Sequence, residues 1–308
     1  MKPKSLRSED KGAAFTLIEL LAVIGTVALL AMLLLPALAG TKTDTWRAQC
    51  QNQMKQLGAG FGMFEQDHND MFPPAGLSTG SQAPVSGQMT WDCYIHRYIG
   101  GKAPDDLLTS GMEDPTIAPS ILRCPTDTQP KVNWVGGGAA PWLALRSYEM
   151  IAPGTQYSTY VQVNCANGYI LPRGSLMGVG IYWVNASMLD WDAQSYKTSV
   201  IKDPSGSILL DEQPGGENIA GNIWPCVSLG PVGTNYWTLL YQTDPTAGPQ
   251  DTNSSVGANQ GAYTYRAHNN HFNYLFYDGH VAALSINETV GTGTLTKPKG
   301  MWTLMPGD

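Results

Sequence analysis

The chain has 308 residues, with 18 Lys and Arg against 25 Asp and Glu and a formal net charge of −7. An acidic balance disfavours binding to phosphate backbones, so no nucleic-acid partner is expected. Charged residues make up only 14% of the chain, while glycine (34) and proline (21) are plentiful; this excludes a helical bundle or a charged disordered tail and suits a loop-rich β domain.

Residues 1–14 carry Lys2, Lys4, Arg7 and Lys11 against Glu9 and Asp10. Excess positive charge there keeps the amino end on the cytoplasmic side. The apolar run over residues 15–39 follows, with Glu19 as its one charge. A run of this length suffices to cross a bilayer as a helix. A carboxylate within it costs roughly 2.5–3.5 kcal/mol at the bilayer centre and less near one end, so Glu19 calls for a partner. Pro36 removes a backbone donor and bends the helix. A cleaved signal peptide ending at Ala37-Leu38-Ala39 and a plain single-span anchor are the competing readings. Against the signal peptide, the run is longer than the usual apolar region and carries a carboxylate.

The helix is expected to continue. From Trp46, apolar residues recur at Cys50, Met54, Leu57, Phe61 and Phe64, a helical stripe facing a core. Gly58, Gly60 and Gly62 weaken it by up to about 1 kcal/mol each. The pattern ends in Asp67-His68-Asn69-Asp70, and Pro73-Pro74 prevents its resumption. A continuous helix over 15–66 would reach roughly 78 Å.

Cysteines stand at 50, 93, 124, 165 and 226 with no C-x-x-C pair, which argues against a zinc ribbon or redox motif, and the odd count leaves at least one thiol unpaired. Cys165 with Cys226 is a pairing suggested by position alone. Residues 203–212 read as a turn followed by a short buried strand, runs at 178–184 and 236–241 also look like strands, and 243–261 looks like a surface loop. Near the carboxy end, two aromatic and aliphatic runs are joined by Asp278-Gly279. This predicts a hairpin with a two-residue turn, Tyr277 opposite His280, and Phe272, Tyr274 and Phe276 on one face. On that geometry His268, His271 and His280 stay far apart, so no metal or catalytic site is expected. No nucleophile elbow or H-E-x-x-H is present either.

Lys11-Gly12-Ala13-Ala14-Phe15-Thr16-Leu17-Ile18-Glu19 resembles the processing site of type IV prepilins and type II secretion pseudopilins, though the family's glycine before the cut stands two residues early, at Gly12. The resemblance implies cleavage by a prepilin peptidase between Ala14 and Phe15, N-methylation of Phe15, and pairing of Glu19 with the Phe15 amine of a neighbouring subunit. Pro36 also matches the family pattern. Cys50-Gln51-Asn52-Gln53-Met54-Lys55-Gln56-Leu57-Gly58 resembles a bacterial subgroup of such proteins. Arg123-Cys124-Pro125-Thr126-Asp127, Arg146-Ser147-Tyr148 and the stretch from Asp203 to Asp211-Glu212 resemble its later landmarks. His268, nine residues, then Asp278-Gly279 resembles a carboxy-terminal motif that accompanies this kind of start. The subgroup landmarks suggest a Cys50–Cys124 disulfide.

What the resemblance implies as a whole is an α+β, pilin-like fold: a long amino-terminal helix, its first half transmembrane, packed on an antiparallel β-sheet head with long loops. The divisions are a leader (1–14), a transmembrane half-helix (15–39), an amphipathic half-helix (40–66) and a β-rich head (67–308) with the hairpin at 268–284. The expected role is a non-enzymatic structural subunit of a type IV pilus or secretion pseudopilus. The alternative is a membrane-anchored surface protein whose head binds a carbohydrate or protein. Expected partners are the peptidase, other subunits through the amino-terminal helix, an inner-membrane assembly platform and membrane lipid. The expected location is the bacterial inner membrane, in a single pass with the head outside the cytoplasm. No cofactor is required. Calcium is the one candidate, as in major pseudopilins, with oxygen donors at Asp67, Asn69, Asp70, Asp244 and Asp251.

Overall fold

The computed structural model describes residues 16–80, 87–109, 111, 114–127, 132–133, 138–139, 142–153, 162–171, 177–193, 195–213, 218–223, 226–228, 230, 267–295 and 297–305, the side chains of 33–42, 132–133, 138–139 and 162–163 excepted. Helix α1 spans Leu17–Asp67. Thr16 and Glu19 start it as a reciprocal capping box. Glu19 Oε2 accepts the Thr16 N–H at 2.9 Å, and Thr16 Oγ1 accepts the Glu19 N–H at 3.3 Å, so two orphan donors of the first turn are satisfied. At the other end Asn69 and Asp70 take positive φ (57° and 59°), and the Asp70 N–H returns to the Glu65 carbonyl at 2.9 Å. This left-handed closure stops the helix at its polar cluster.

The chain divides into two units, Met1–Thr43 and Asp44–Asp308. In the first, large apolar side chains from Leu17 to Met32 are exposed all round the helix. Among the described residues, however, no helix is long and apolar enough to cross a membrane. The assignment of 15–39 as a membrane span, and with it the single-pass inner-membrane location, is corrected accordingly.

In the second unit the later turns of α1 bury Cys50, Met54, Leu57, Phe61 and Phe64 in the main core, the face set by the apolar stripe. Around it stand two larger sheets. The first has the order β2-β1-β7-β6, from strands β1 (Gly76–Ser78), β2 (Gln88–Thr90), β6 (Gln162–Asn164) and β7 (Tyr182–Val184). The second has the order β11-β10-β8-β5-β9, from β5 (Tyr148–Ile151), β8 (Ile208–Glu212), β9 (Val227–Ser228), β10 (Phe272–Phe276) and β11 (Val281–Leu284). A small ribbon pairs β3 (Val132–Asn133) with β4 (Gly138–Ala139). Helices α2 (Trp91–Ile95), α3 (Asp105–Leu108) and α4 (Ile286–Thr289) are short.

The expected antiparallel head is therefore also corrected. β1 and β6 each run parallel to β7, and β5 runs parallel to β9. Parallel neighbours require long crossovers, and the lengthy connections of this chain supply them. Of the run at 178–184 only Tyr182–Val184 is a strand; 236–241 and 243–261 lie outside the described residues.

The carboxy-terminal hairpin forms, with a different turn. Leu275 pairs with Val281, the Phe276 N–H reaches the His280 carbonyl at 3.0 Å, and the Gly279 N–H returns to Phe276. Three residues, Tyr277-Asp278-Gly279, therefore make the loop rather than two. Of these, Gly279 alone has positive φ, at 86°, as three-residue hairpins require. A Cβ at Gly279 would meet nothing within 4 Å, so the constraint there is conformational. Gly279→Val should destabilise the protein by about 1–2 kcal/mol, measured by urea denaturation of the full chain; an unchanged midpoint would show that the turn tolerates a different conformation. Phe272, Tyr274 and Phe276 stand together in a second core with Trp302 and Ile208, while Leu275 faces the main core. Both faces of β10 are buried because a hydrophobic core packs on each side of its sheet. Its hairpin lies against α1, where a Cβ on Gly58 would come within 2.8 Å of Leu275 Cδ1 and 3.6 Å of Gly279 Cα.

Candidate functional site

Four separated stretches of the chain meet beneath α1. Cys50 comes from the helix, Cys124 and Thr126 from the segment after a single 3-10 turn, Glu212 from the end of β8, His268 from the approach to β10 and Asn273 from within that strand. Cys50 and Cys124 are joined by a disulfide, with Cα atoms 5.3 Å apart. His268 is fully buried beside it, its Nε2 at 3.6 Å from Cys124 Sγ and 3.4 Å from Thr126 Oγ1. On the other side of the ring, Nδ1 donates to Glu212 Oε2 at 3.1 Å. Glu212 is itself fixed by Asn273, whose backbone N–H and Nδ2 donate to its two oxygens at 2.7 and 3.1 Å. A carboxylate at Nδ1 places the ring proton there and leaves the Nε2 lone pair facing sulfur and hydroxyl.

The surroundings are equally ordered. Ser147 Oγ donates to Asp127 at 2.6 Å and accepts the Cys124 N–H at 3.0 Å. Tyr148 reaches back to α1, donating to Gln53 Oε1 at 3.0 Å. Next along β5 and β8, Glu149 pairs in register with Asp211. Burial raises the Asp211 carboxyl to about 7, against hydrogen bonds from Ser228 and Gln213 that lower it. Burial and then Asp211 push Glu149 up as well. The fold thus favours the protonated acids. Their contribution is fully present below the unfolded carboxylate range near 4 and is lost as pH rises toward about 7. Asp211→Asn should therefore gain on the wild type as pH rises, its relative melting temperature climbing by roughly 5 °C between about pH 4 and pH 8. A difference independent of pH would contradict this.

The remaining sequence-derived residues are placed as follows. Ala14 and Phe15 lie outside the described residues. Glu19 caps the first turn of its own helix. Pro36 lies within α1. Asp278 accepts the His280 N–H at 3.0 Å, and the His280 ring stacks on Phe276 with centroids 4.2 Å apart, so this end of the motif is a turn. His268 belongs to the buried cluster and not to the hairpin. Cys165 and Cys226 are not joined to each other: both are buried and form no disulfide, as is the case for Cys93. Cys165 donates to the Val184 carbonyl at 3.1 Å, and Cys226 sits near Arg146, its thiol pushed up by burial. For calcium, Asp67 accepts the Tyr98 hydroxyl at 2.8 Å and Asn69 and Asp70 shape the helix end; Asp244 and Asp251 lie outside the described residues. Among the described residues, the group of three or more His, Cys, Asp or Glu whose ligand atoms gather within 4.8 Å of one another is Cys50, Cys124, Glu212 and His268.

Strand-distance reasoning missed Glu212, Thr126 and Asn273 as companions of His268. The available signal was the set of short landmarks themselves, since each contributes a residue to this cluster or its immediate support. No known family, curated protein or solved structure matches the chain. The assignment to pilins, pseudopilins or a secretion system is therefore corrected to a resemblance carried by short motifs.

Proposed function

We propose that the chain is a structural subunit, cut by a prepilin peptidase between Ala14 and Phe15 and assembled through its amino-terminal helix with like subunits into a filament of the type IV pilus or secretion pseudopilus kind. The observation that carries this reading is the helix surface over 17–32. Leu17, Ile18, Leu20, Leu21, Val27 and Leu30 are all more than half exposed, and contiguous apolar surface of this extent marks an interaction site. At about 25 cal/mol per Å² of apolar area, covering it is a strong drive to associate.

The capping box gives Glu19 a second role and a clean test. Glutamine at the same position can still cap but cannot pair as an anion with a neighbour's amine. Glu19→Gln is expected to keep the helix and, like Glu19→Ala, to lose assembly yield by about tenfold or more. Normal assembly of Glu19→Gln would mean that capping alone explains the residue. Mass spectrometry of the mature amino terminus tests the cut: Phe15 is expected, and a terminus at Gly40 would overturn the reading.

The alternative of a ligand-binding head has one feature in its favour, a cleft of about 440 Å³ lined by Phe64, His68, Tyr94, Arg97, Tyr98 and Trp191 among others. Aromatic faces beside a guanidinium suit a sugar or a peptide. A chain that keeps residues 1–14 and never associates would favour this cleft over the filament.

A further inference from the structure

The cluster beneath α1 contains more than a disulfide needs. A sulfur–sulfur bond requires no imidazole, yet a fully buried histidine presents its Nε2 to it, and a buried carboxylate fixed by two hydrogen bonds orients that histidine. We propose that in its dithiol form this cluster binds a divalent cation of the zinc class through Cys50 Sγ, Cys124 Sγ and His268 Nε2, with Glu212 as the orienting partner of His268.

Donor chemistry, charge and placement each support the assignment. Two thiolates and an imidazole form a soft donor set that selects zinc-class ions over calcium or magnesium. A carboxylate on the far nitrogen of a ligating histidine fixes its tautomer and raises its basicity, which is the arrangement of Glu212 and His268. Two thiolates and a divalent cation sum to zero, so a site this deeply buried acquires no net charge. Thr126 Oγ1, 3.0 Å from Cys124 Sγ, is placed to donate to a thiolate. All ligand atoms already lie within 4.8 Å of one another, so binding requires the sulfurs to separate and little else to move.

The two states exclude each other. The chain is synthesised with thiols, and the cation occupies them in that form. Forming the sulfur–sulfur bond transfers two electrons from the thiolates to a disulfide-bearing oxidant. That oxidant takes up two protons and leaves as two thiols, and the cation is released unchanged in charge.

The test uses the full chain, reduced with a phosphine under anaerobic conditions and titrated with cobalt(II) or zinc(II) alone. The expected result is one cobalt per chain with a thiolate-to-cobalt charge-transfer band, absent from the oxidised chain. Zinc should protect Cys50 and Cys124 from alkylation in peptide mapping, with Cys93, Cys165 and Cys226 as internal references. His268→Ala should weaken cobalt binding by more than tenfold, and Glu212→Gln by about 10–100-fold. Should reduction alone unfold the chain, adding zinc should restore its near-ultraviolet dichroism. The proposal is overturned by a reduced chain that shows no thiolate band, by binding that His268→Ala leaves unchanged, by equal binding to the oxidised chain, or by a reduced, unfolded chain that zinc does not rescue.

Discussion

Arg146→Ala should destabilise the protein by about 3–5 kcal/mol, the range for breaking a buried ion pair from one side. Arg146 and Asp92 are both fully buried and paired. Nε of Arg146 donates to Asn218 Oδ1 at 2.9 Å, and a terminal nitrogen donates to the Asn222 carbonyl at 3.1 Å. The guanidinium also lies over the Trp91 ring, 5.4 Å from its centroid, and Asp92 accepts the Gly221 N–H at 2.8 Å. Removing the arginine strands Asp92 as an uncompensated charge in the core, which dominates the cost. Urea denaturation of the full chain measures it. The double variant Arg146→Met with Asp92→Leu should recover most of the loss, because it removes both charges together. A loss below about 1 kcal/mol for Arg146→Ala would show that the carboxylate finds solvent or another partner.

Cys124→Ser should cost a similar amount, about 4 kcal/mol. The disulfide closes a span of 74 residues, and the chain-entropy argument gives that magnitude for a loop of this size. Cys50→Ser should match it, and the double variant should lose no more than either single one, since all three remove the same bond. Additive losses would mean that the two sulfurs act separately. Full alkylation of native, non-reduced protein would refute the bridge outright.

The sequence announces some of this structure and conceals the rest for identifiable reasons. The buried face of α1 was legible because Cys50, Met54, Leu57, Phe61 and Phe64 recur at the helical period, a local property. Strand pairing was not: β5 beside β9, or β1 beside β7, depends on residues far apart along the chain, and nothing in either segment encodes its neighbour. The hairpin was legible as a hairpin, but its loop length hinges on whether Tyr277 or Phe276 faces His280, a one-residue difference that Asp278-Gly279 fits either way. Along its own strand His268 lies far from the other histidines. Its partners arrive from β8 and from the Cys124 segment, so distance along the chain was the wrong measure. Glu19 within an apolar run reads as a lipid-facing charge in need of a neighbour, yet Thr16-Leu17-Ile18-Glu19 is also a capping-box sequence.

The position of β10 sets the order in which the head can be finished. It lies between β8 and β11, yet the ribosome delivers it well after β8, from which residues 213–271 separate it. Until it arrives, β8 offers an open edge, a template for mispairing with other nascent chains. Cys50 and Cys124 are both synthesised well before His268, so the cluster they share with it stays incomplete until the late segment arrives. The late hairpin then seals the sheet, inserts the histidine and packs Gly279 against Gly58 in a single event. Pairings of such wide sequence separation fold slowly. The β10–β11 hairpin therefore closes the sheet edge left by β8, and chains truncated before it are the form most exposed to aggregation and proteolysis.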